Sequence, residues 1–282
     1  MLERSGGAHH RRMTSTAGPT ESFQIPIEAA ERYEAAFVPG FFAQWAPILC
    51  EVAGVAEGHD VLDVACGTGI VARTAADLVG PPGSVVGLDL NAAMLTVAGR
   101  VRPDIEWRQG DAMRLPFADR AFDTVLCQMA LMFFADRPRA LSEMARVVSP
   151  GGTVAVVVPS ALDAQVMFKP FVELAGRIAG PEAISLLTAY FVCGDLGELT
   201  NLFESAGLRI GVRRSVVGSY RAPSVDAAVT TEVESTPLVE RISATTYRQL
   251  RDEAVDVLQP FTQPDGSLVA PFECLVVAAT RN

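Results

Sequence analysis

Three aspartates, each set where an apolar strand gives way to a turn, are the residues of this sequence best placed to do chemistry. Asp63 lies inside Val61-Leu62-Asp63-Val64-Ala65, directly ahead of Cys66-Gly67-Thr68-Gly69. Asp89 closes Val85-Val86-Gly87-Leu88, and Asp111 follows Gly110 at the end of a third short strand over 105–108. Gly67 and Gly69 lack a Cβ, so the chain there can turn sharply and lie close against a ligand. Asp89 stands 20 positions beyond Gly69. In dinucleotide-type sites an acid at that distance, at the tip of the second strand, accepts hydrogen bonds from ribose hydroxyls. Capping of a helix over 91–101 is a second role open to Asp89, and the two are compatible. Three strands that deliver a carboxylate to one edge describe a crevice for a nucleotide-like cofactor.

The elements that must position these groups follow a β-α alternation. The strand at 61–65, the glycine turn and a helix over 70–78 make the first unit of a doubly wound α/β sheet. Strands at 84–88, 105–108, 122–127 and 153–158 follow, which implies a parallel sheet. Asp136-Arg137-Pro138 opens a helix with a capping acid and an early proline, and Ser149-Pro150-Gly151-Gly152 ends it. Ahead of the sheet, two amphipathic helices are expected over 27–37 and 41–52, broken at Pro39-Gly40. Their Tyr33, Phe37, Phe41 and Trp45 either pack onto the sheet or cover the crevice as a lid. Beyond Pro159 the alternation stops. Helices dominate 160–193, a helix over 195–206 ends at Gly207, a sixth strand runs over 208–219, helix resumes over 225–258, and a last strand spans 272–280. Residues 1–22 read as a disordered tail. Residues 23–282 read as one domain: a core of 53–159, 194–222 and 263–282, a cap of 160–193 and 223–262, and lid helices over 27–52.

Composition removes several function classes. A chain of 282 residues that is 49% hydrophobic can bury a sizeable core. Its net charge of −10, its one lysine (Lys169) and its scattered arginines argue against nucleic acid as a partner. No apolar run approaches the roughly 20 residues of a membrane span. No secretory leader is expected, and five scattered cysteines without a C-x-x-C pair suggest reduced thiols in the cytoplasm.

Taken together, Val61-Leu62-Asp63-Val64-Ala65-Cys66-Gly67-Thr68-Gly69, Gly87-Leu88-Asp89-Leu90, Gly110-Asp111-Ala112 and Ser149-Pro150-Gly151-Gly152 resemble the class I S-adenosylmethionine-dependent methyltransferases. The branch is that of ubiquinone/menaquinone biosynthesis and its secondary-metabolite relatives. The resemblance is strong over about 55–160 and looser over 196–208 and the last strand. It implies a Rossmann-like α/β fold with a seven-stranded sheet in the order 3-2-1-4-5-7-6, the last strand antiparallel, carrying helical cap insertions. It also implies S-adenosyl-L-methionine as cofactor and S-adenosyl-L-homocysteine as its product. Carried over by position, the backbone of Ala65, Gly67 and Gly69, with Thr68, meets the amino-acid end of the cofactor. Asp89 takes the ribose hydroxyls, and Leu90 and Met94 pack beside the adenine. Asp111 accepts from the adenine amino group, Ala112 donates to a ring nitrogen, and Gly110 completes that turn. Gln128 lies near the methionyl end, and Asp63 fixes the loop and the cofactor's ammonium. Tyr33, if the first helices form a lid, is a further candidate to touch the cofactor.

The expected reaction is methyl transfer by in-line displacement to a small, hydrophobic or aromatic acceptor. It needs positioning and desolvation more than a strong base. With three histidines in the chain, two in the tail and His59 on the far side of the first strand, a histidine base is not expected. Candidate catalytic groups are Gln128, Tyr190, Asp195 and Glu232, with Asp163 and Glu234 as further carboxylates. No metal is expected, because the segment Gln128-Met129-Ala130-Leu131-Met132-Phe133-Phe134 after the fourth strand is almost wholly apolar. Met129, Met132, Phe168, Tyr190 and Phe191 are candidates to line the acceptor pocket. The chain is expected to be a monomer or a homodimer. Two other readings stand beside this one. Gly67-Thr68-Gly69-Ile70-Val71-Ala72 also satisfies the G-x-G-x-x-A of a nicotinamide-dependent oxidoreductase. A cofactor-binding protein without turnover would keep the same motifs.

Overall fold

The computed structural model describes residues 25–234 and 238–282, so the 1–22 tail lies outside the described residues. Seven strands form one sheet: β1 Asp60–Val64, β2 Ser84–Asp89, β3 Glu106–Gln109, β4 Phe122–Gln128, β5 Val148–Pro159, β6 Leu208–Ala222 and β7 Leu268–Arg281. Their order is β3-β2-β1-β4-β5-β7-β6. β1 to β5 are mutually parallel, and β7 runs antiparallel to both β5 and β6. This is the topology the resemblance implies. The register sets Asp63 opposite Gly87 of β2 and Leu126 of β4, and Asp89 opposite Gln109 of β3. The C-terminal ends of the four strands therefore lie along one edge.

β1 is buried along Val61, Leu62, Asp63 and Val64, as a central strand covered on both faces must be. The helices Ile70–Val79 and Ala92–Val101 return the chain between strands. Asp136 caps Arg137–Val147 by accepting from the Arg139 N–H, and Asp195 caps Leu196–Ser205 by accepting from the Glu198 N–H. Gly207, at φ +79°, follows that last helix.

The lid departs from two plain helices. Ile27–Arg32 is α-helical, Tyr33–Phe37 widens into a π-helix, Val38–Gly40 closes the segment, and Trp45–Ala53 forms the second helix after a 3₁₀ turn at Phe42–Gln44. Pro39 and Gly40 lie within the helical segment, and the break falls one residue later than the sequence puts it, at Phe41 (φ −142°); the π turn has no sequence signature. No single helix among the described residues is long and apolar enough to cross a membrane. The pair Ile27–Gly40 and Phe42–Ala53, bent by 54°, passes by composition, with Trp45, Leu49 and Cys50 fully buried in the core.

β6 and β7 pair along nearly their whole length, beyond the expected 208–219 and 272–280. Pro271 looks like a strand end in the sequence. β5 stops pairing at Cys274, so Pro271 sits where β7 has a partner on one side only and its missing N–H costs no ladder bond. The helical stretch 225–258 is divided into Val225–Glu234, Leu238–Arg241 and Ala244–Leu258, the last capped by Ser243. Ala244–Leu258 packs against Phe168–Ala179 and Val225–Glu234, and Phe168–Ala179 against Pro181–Thr188.

Candidate functional site

The turn after β1 is held in a conformation that L-residues rarely adopt. Ala65, Gly67 and Gly69 all have positive φ, at +56°, +56° and +90°. Across the crevice, Met129 after β4 stands at +53°. Left-handed non-glycine residues cost of order 1–3 kcal/mol and collect at functional sites. Gly69 and Gly87 share one neighbour. A Cβ on Gly69 would lie 2.2 Å from Cη2 of Trp107, and one on Gly87 would lie 2.3 Å from its Cζ3. The indole of β3 therefore fills the space that these two glycines leave, and its Nε1 donates to the Arg102 carbonyl at 2.9 Å.

Asp89 ties the turn to β2. Its Oδ2 accepts from the Gly67 N–H and its Oδ1 from the Asn91 N–H, both at 2.8 Å. Asn91 is the helix cap, accepting from the Ala93 N–H at 2.8 Å, so capping is not Asp89's role. Asp63, 1% exposed, accepts from the Ala72 N–H at 2.9 Å through Oδ2. Its Oδ1 is buried with no partner, as are Thr68 Oγ1 and Gln128 Oε1. Burial pushes the Asp63 carboxyl up to about 8, with Asp89 adding to the rise and the Ala72 N–H opposing it. Asp89 is also raised by burial, against the N–H groups of Asn91 and Gly67.

On the adenine side of the expected site, Asp111 Oδ1 accepts from the Met113 N–H at 2.8 Å, and the Gly110 N–H donates to the Asp89 carbonyl at 3.0 Å. Ala112 is buried, Met94 half-buried, and Leu90 is 52% exposed beside them. The N-terminal helices pack against the turn after β1. The Tyr33 ring approaches within 3.8 Å of where a Gly67 Cβ would be and packs on Phe37 and Phe42. Glu34 is paired with Arg73 in two bonds of 2.9 and 3.3 Å. Gln128 Nε2 donates to the Phe42 carbonyl at 3.1 Å.

The candidate acceptor side divides. Met129 and Met132 are buried after β4, and Phe133 meets Tyr190 edge-on at 5.6 Å. Phe168 and Phe191 join Phe41, Tyr220 and Phe272 in one aromatic cluster. The candidate carboxylates divide as well. Asp195 is exposed and capping. Asp163 is exposed and paired with Lys169 at 2.8 Å, and Glu234 is exposed, accepting from the Tyr247 hydroxyl at 3.3 Å. Glu232 is 8% exposed; burial pushes it up to about 7, opposed by the hydrogen bond from Tyr220. His59 lines a cavity of about 470 Å³ with Asp123 and Gly152, at the opposite ends of the strands. Among the described residues no cluster of three metal-ligating side chains occurs.

Residues 62–156 match the family described as "Methyltransferase domain". The 2-phytyl-1,4-naphtoquinone methyltransferase of Thermosynechococcus vestitus is 39% identical over 121 residues, 42% of this chain and 54% of that protein. The demethylmenaquinone methyltransferase of Renibacterium salmoninarum is 42% identical over 113 residues, 40% and 46% of the two chains. This chain spans about half the length of these curated relatives. Among solved structures, Haemonchus contortus phosphoethanolamine N-methyltransferase 2 in complex with S-adenosyl-L-methionine superposes with a TM-score of 0.58. It is 19% identical and covers 93% of this chain and 60% of its own, a likeness of fold. Residues 62–156 are thus similar to a methyltransferase domain, and the chain shares the fold of solved methyltransferases.

The site also contains groups that the sequence does not single out. Trp107 and Asn91 act through packing and backbone bonds that only the folded register creates. The Glu34–Arg73 pair joins residues 39 positions apart. Tyr220 could have been noticed as an aromatic closing a long strand.

Proposed function

We propose that this protein transfers a methyl group from S-adenosylmethionine to a small, hydrophobic, aromatic acceptor without a metal. The observation that carries the reading is the set of buried polar atoms without partners in the crevice: Asp63 Oδ1, Thr68 Oγ1 and Gln128 Oε1. Folding leaves such groups unsatisfied only at a cost of about 1–3 kcal/mol each. A cationic, hydrogen-bonding ligand would satisfy them. S-adenosylmethionine fits in charge and shape: it has no phosphate, so no lysine is needed, and its ammonium, sulfonium and ribose hydroxyls suit carboxylates and backbone groups.

In this reading Asp89 uses its remaining lone pairs for the ribose hydroxyls while its two backbone bonds hold the glycine turn. Asp111, Ala112 and Gly110 take the adenine edge, with Leu90 and Met94 at its faces. Ala65, Gly67, Thr68, Gly69, Asp63 and Gln128 take the amino-acid end. Bound S-adenosylmethionine supplies a methyl carbon already activated by the sulfonium. The chain's own work is to hold that carbon in line with the acceptor and exclude water. Tyr33 and the apolar segment from Met129 to Phe134 do the excluding; Met129, Met132, Phe168, Tyr190 and Phe191 receive the acceptor. The named relatives act on naphthoquinone-type molecules, which supports an aromatic acceptor. All five cysteines are free and buried, in keeping with a reducing, cytoplasmic setting. The nicotinamide alternative is not favoured, because the antiparallel β7 and the carboxylate within β1 belong to the methyltransferase pattern.

The test is methyl-labelled S-adenosylmethionine incubated with 2-methyl-1,4-naphthohydroquinone and a panel of phenols. Label in the acceptor supports the reading. Cofactor binding with no transfer to any acceptor would leave a binding protein without turnover.

A further inference from the structure

Among the described residues of the cap, Glu232 is the one buried carboxyl. On the helix Val225–Glu234, residues Val225, Ala228, Val229, Glu232 and Val233 are buried. That is the i, i+3, i+4, i+7, i+8 stripe of a core-facing helix, with an acid at one of its core positions. Glu234, two residues on, is exposed. Glu232 is hydrogen-bonded to Tyr220, itself 3% exposed near the end of β6. Tyr220 lies edge-on to Phe168 at 5.3 Å and within electrostatic range of Tyr190. Tyr190 in turn packs on Phe133, in the segment that follows Gln128. The carboxyl thus stands at the back of the aromatic layer proposed to receive the acceptor.

A purely structural bond between helix and strand could be made by an amide at no risk of burying a charge. A carboxyl at this position is costlier, and it can do what an amide cannot, which is take up a proton. Resting on the methyl-transfer reading above, we propose that Glu232 is the catalytic base, that Tyr220 positions it, and that the acceptor carries an ionisable phenolic hydroxyl. The hydroxyl proton passes to the Glu232 carboxylate. The electron pair so released forms the bond to the methyl carbon, at oxygen or at the ring carbon beside it. The carbon–sulfur bond breaks with its pair remaining on a neutral thioether sulfur. If ring carbon is the nucleophile, its own proton is lost to solvent as aromaticity returns.

The experiment measures methyl transfer by wild type, Glu232→Gln, Glu232→Asp and Tyr220→Phe with two acceptors. One is 2-methyl-1,4-naphthohydroquinone; the other is a halogenated analogue whose hydroxyl is already largely ionised at the assay pH. Positioned general bases contribute about 10²–10⁴-fold, so Glu232→Gln should lower kcat at least about 100-fold with the first acceptor. With the second the loss should shrink to a few-fold. S-adenosylmethionine affinity and melting temperature should stay near wild type, Glu232→Asp should recover part of the rate, and Tyr220→Phe should lose less than Glu232→Gln. Equal losses with both acceptors, or an unchanged kcat in Glu232→Gln, would overturn the proposal. So would a wild-type protein that binds S-adenosylmethionine but methylates neither hydroquinone. Failure of the underlying reading would show separately, as wild-type protein that binds no S-adenosylmethionine.

Discussion

The two flanks of the sheet meet different demands. On the β3-β2-β1-β4 flank, short parallel strands end in carboxylates whose oxygens are bonded to backbone N–H groups. Its turns are strained and its glycines are packed against one indole. On the β5-β7-β6 flank, long antiparallel strands carry an aromatic cluster and a buried tyrosine–glutamate pair. The first flank is rigid and polar, suited to one cofactor. The second is apolar and built from ring contacts, which suits variation in acceptor.

The largest effect that would break this comparison is at the glycines. Gly87→Ala should cost about 3 kcal/mol from overpacking against Trp107, roughly a 6–12 °C fall in melting temperature for a domain of this size. The double variant with Trp107→Leu should recover much of it; calorimetric melting of all four combinations checks the coupling. Next comes Asp89→Ala, expected to weaken S-adenosylmethionine binding by about 1–3 kcal/mol, roughly 5–150-fold. Titration calorimetry reads it directly.

Asp63 sharpens the contrast through pH. Its carboxyl is raised from 3.8 to about 8 in the folded protein. Between these values the folded state holds a proton that the unfolded state has lost, so this group makes stability fall as pH rises from about 4 to about 8. Asp63→Asn should remove that part of the slope, measurable as melting temperature against pH. In the wild type, a cation bound beside the carboxylate should pull its pKa back down. Cofactor binding should therefore release protons near neutral pH, seen as a buffer-dependent binding enthalpy. The smallest effect is at the lid. Glu34→Gln breaks a half-buried pair worth about 0.5–1 kcal/mol and should speed cofactor dissociation a few-fold in stopped-flow.

The polar flank was also the legible one. Each of its signals is local: Asp63 with Gly67 and Gly69, Asp89 behind Gly87, Asp111 behind Gly110. The strand order followed from a family resemblance carried by those same residues. What escaped depends on contacts distant in sequence. Trp107 explains Gly69 and Gly87 only once β3 pairs with β2, and Glu34 meets Arg73 only when the lid folds back. Pro271 disguised the length of the β6–β7 ladder, because a strand with one unpaired side tolerates a residue that sequence rules count as a break. The three helices between Val225 and Leu258 read as one stretch of helix in the sequence. Of the candidate carboxylates, burial alone separates Glu232 from Asp163, Asp195 and Glu234, and burial of a single acid cannot be read from its neighbours in the chain.

The central claim is that the crevice at the end of β1 is shaped for S-adenosylmethionine. The most direct measurement is calorimetric titration of the wild-type protein and Asp89→Ala with S-adenosylmethionine, S-adenosylhomocysteine and NAD. Binding of the first two, weakened in Asp89→Ala, with no binding of NAD, is the predicted result. Binding of NAD instead, or S-adenosylmethionine binding indifferent to Asp89, would contradict it.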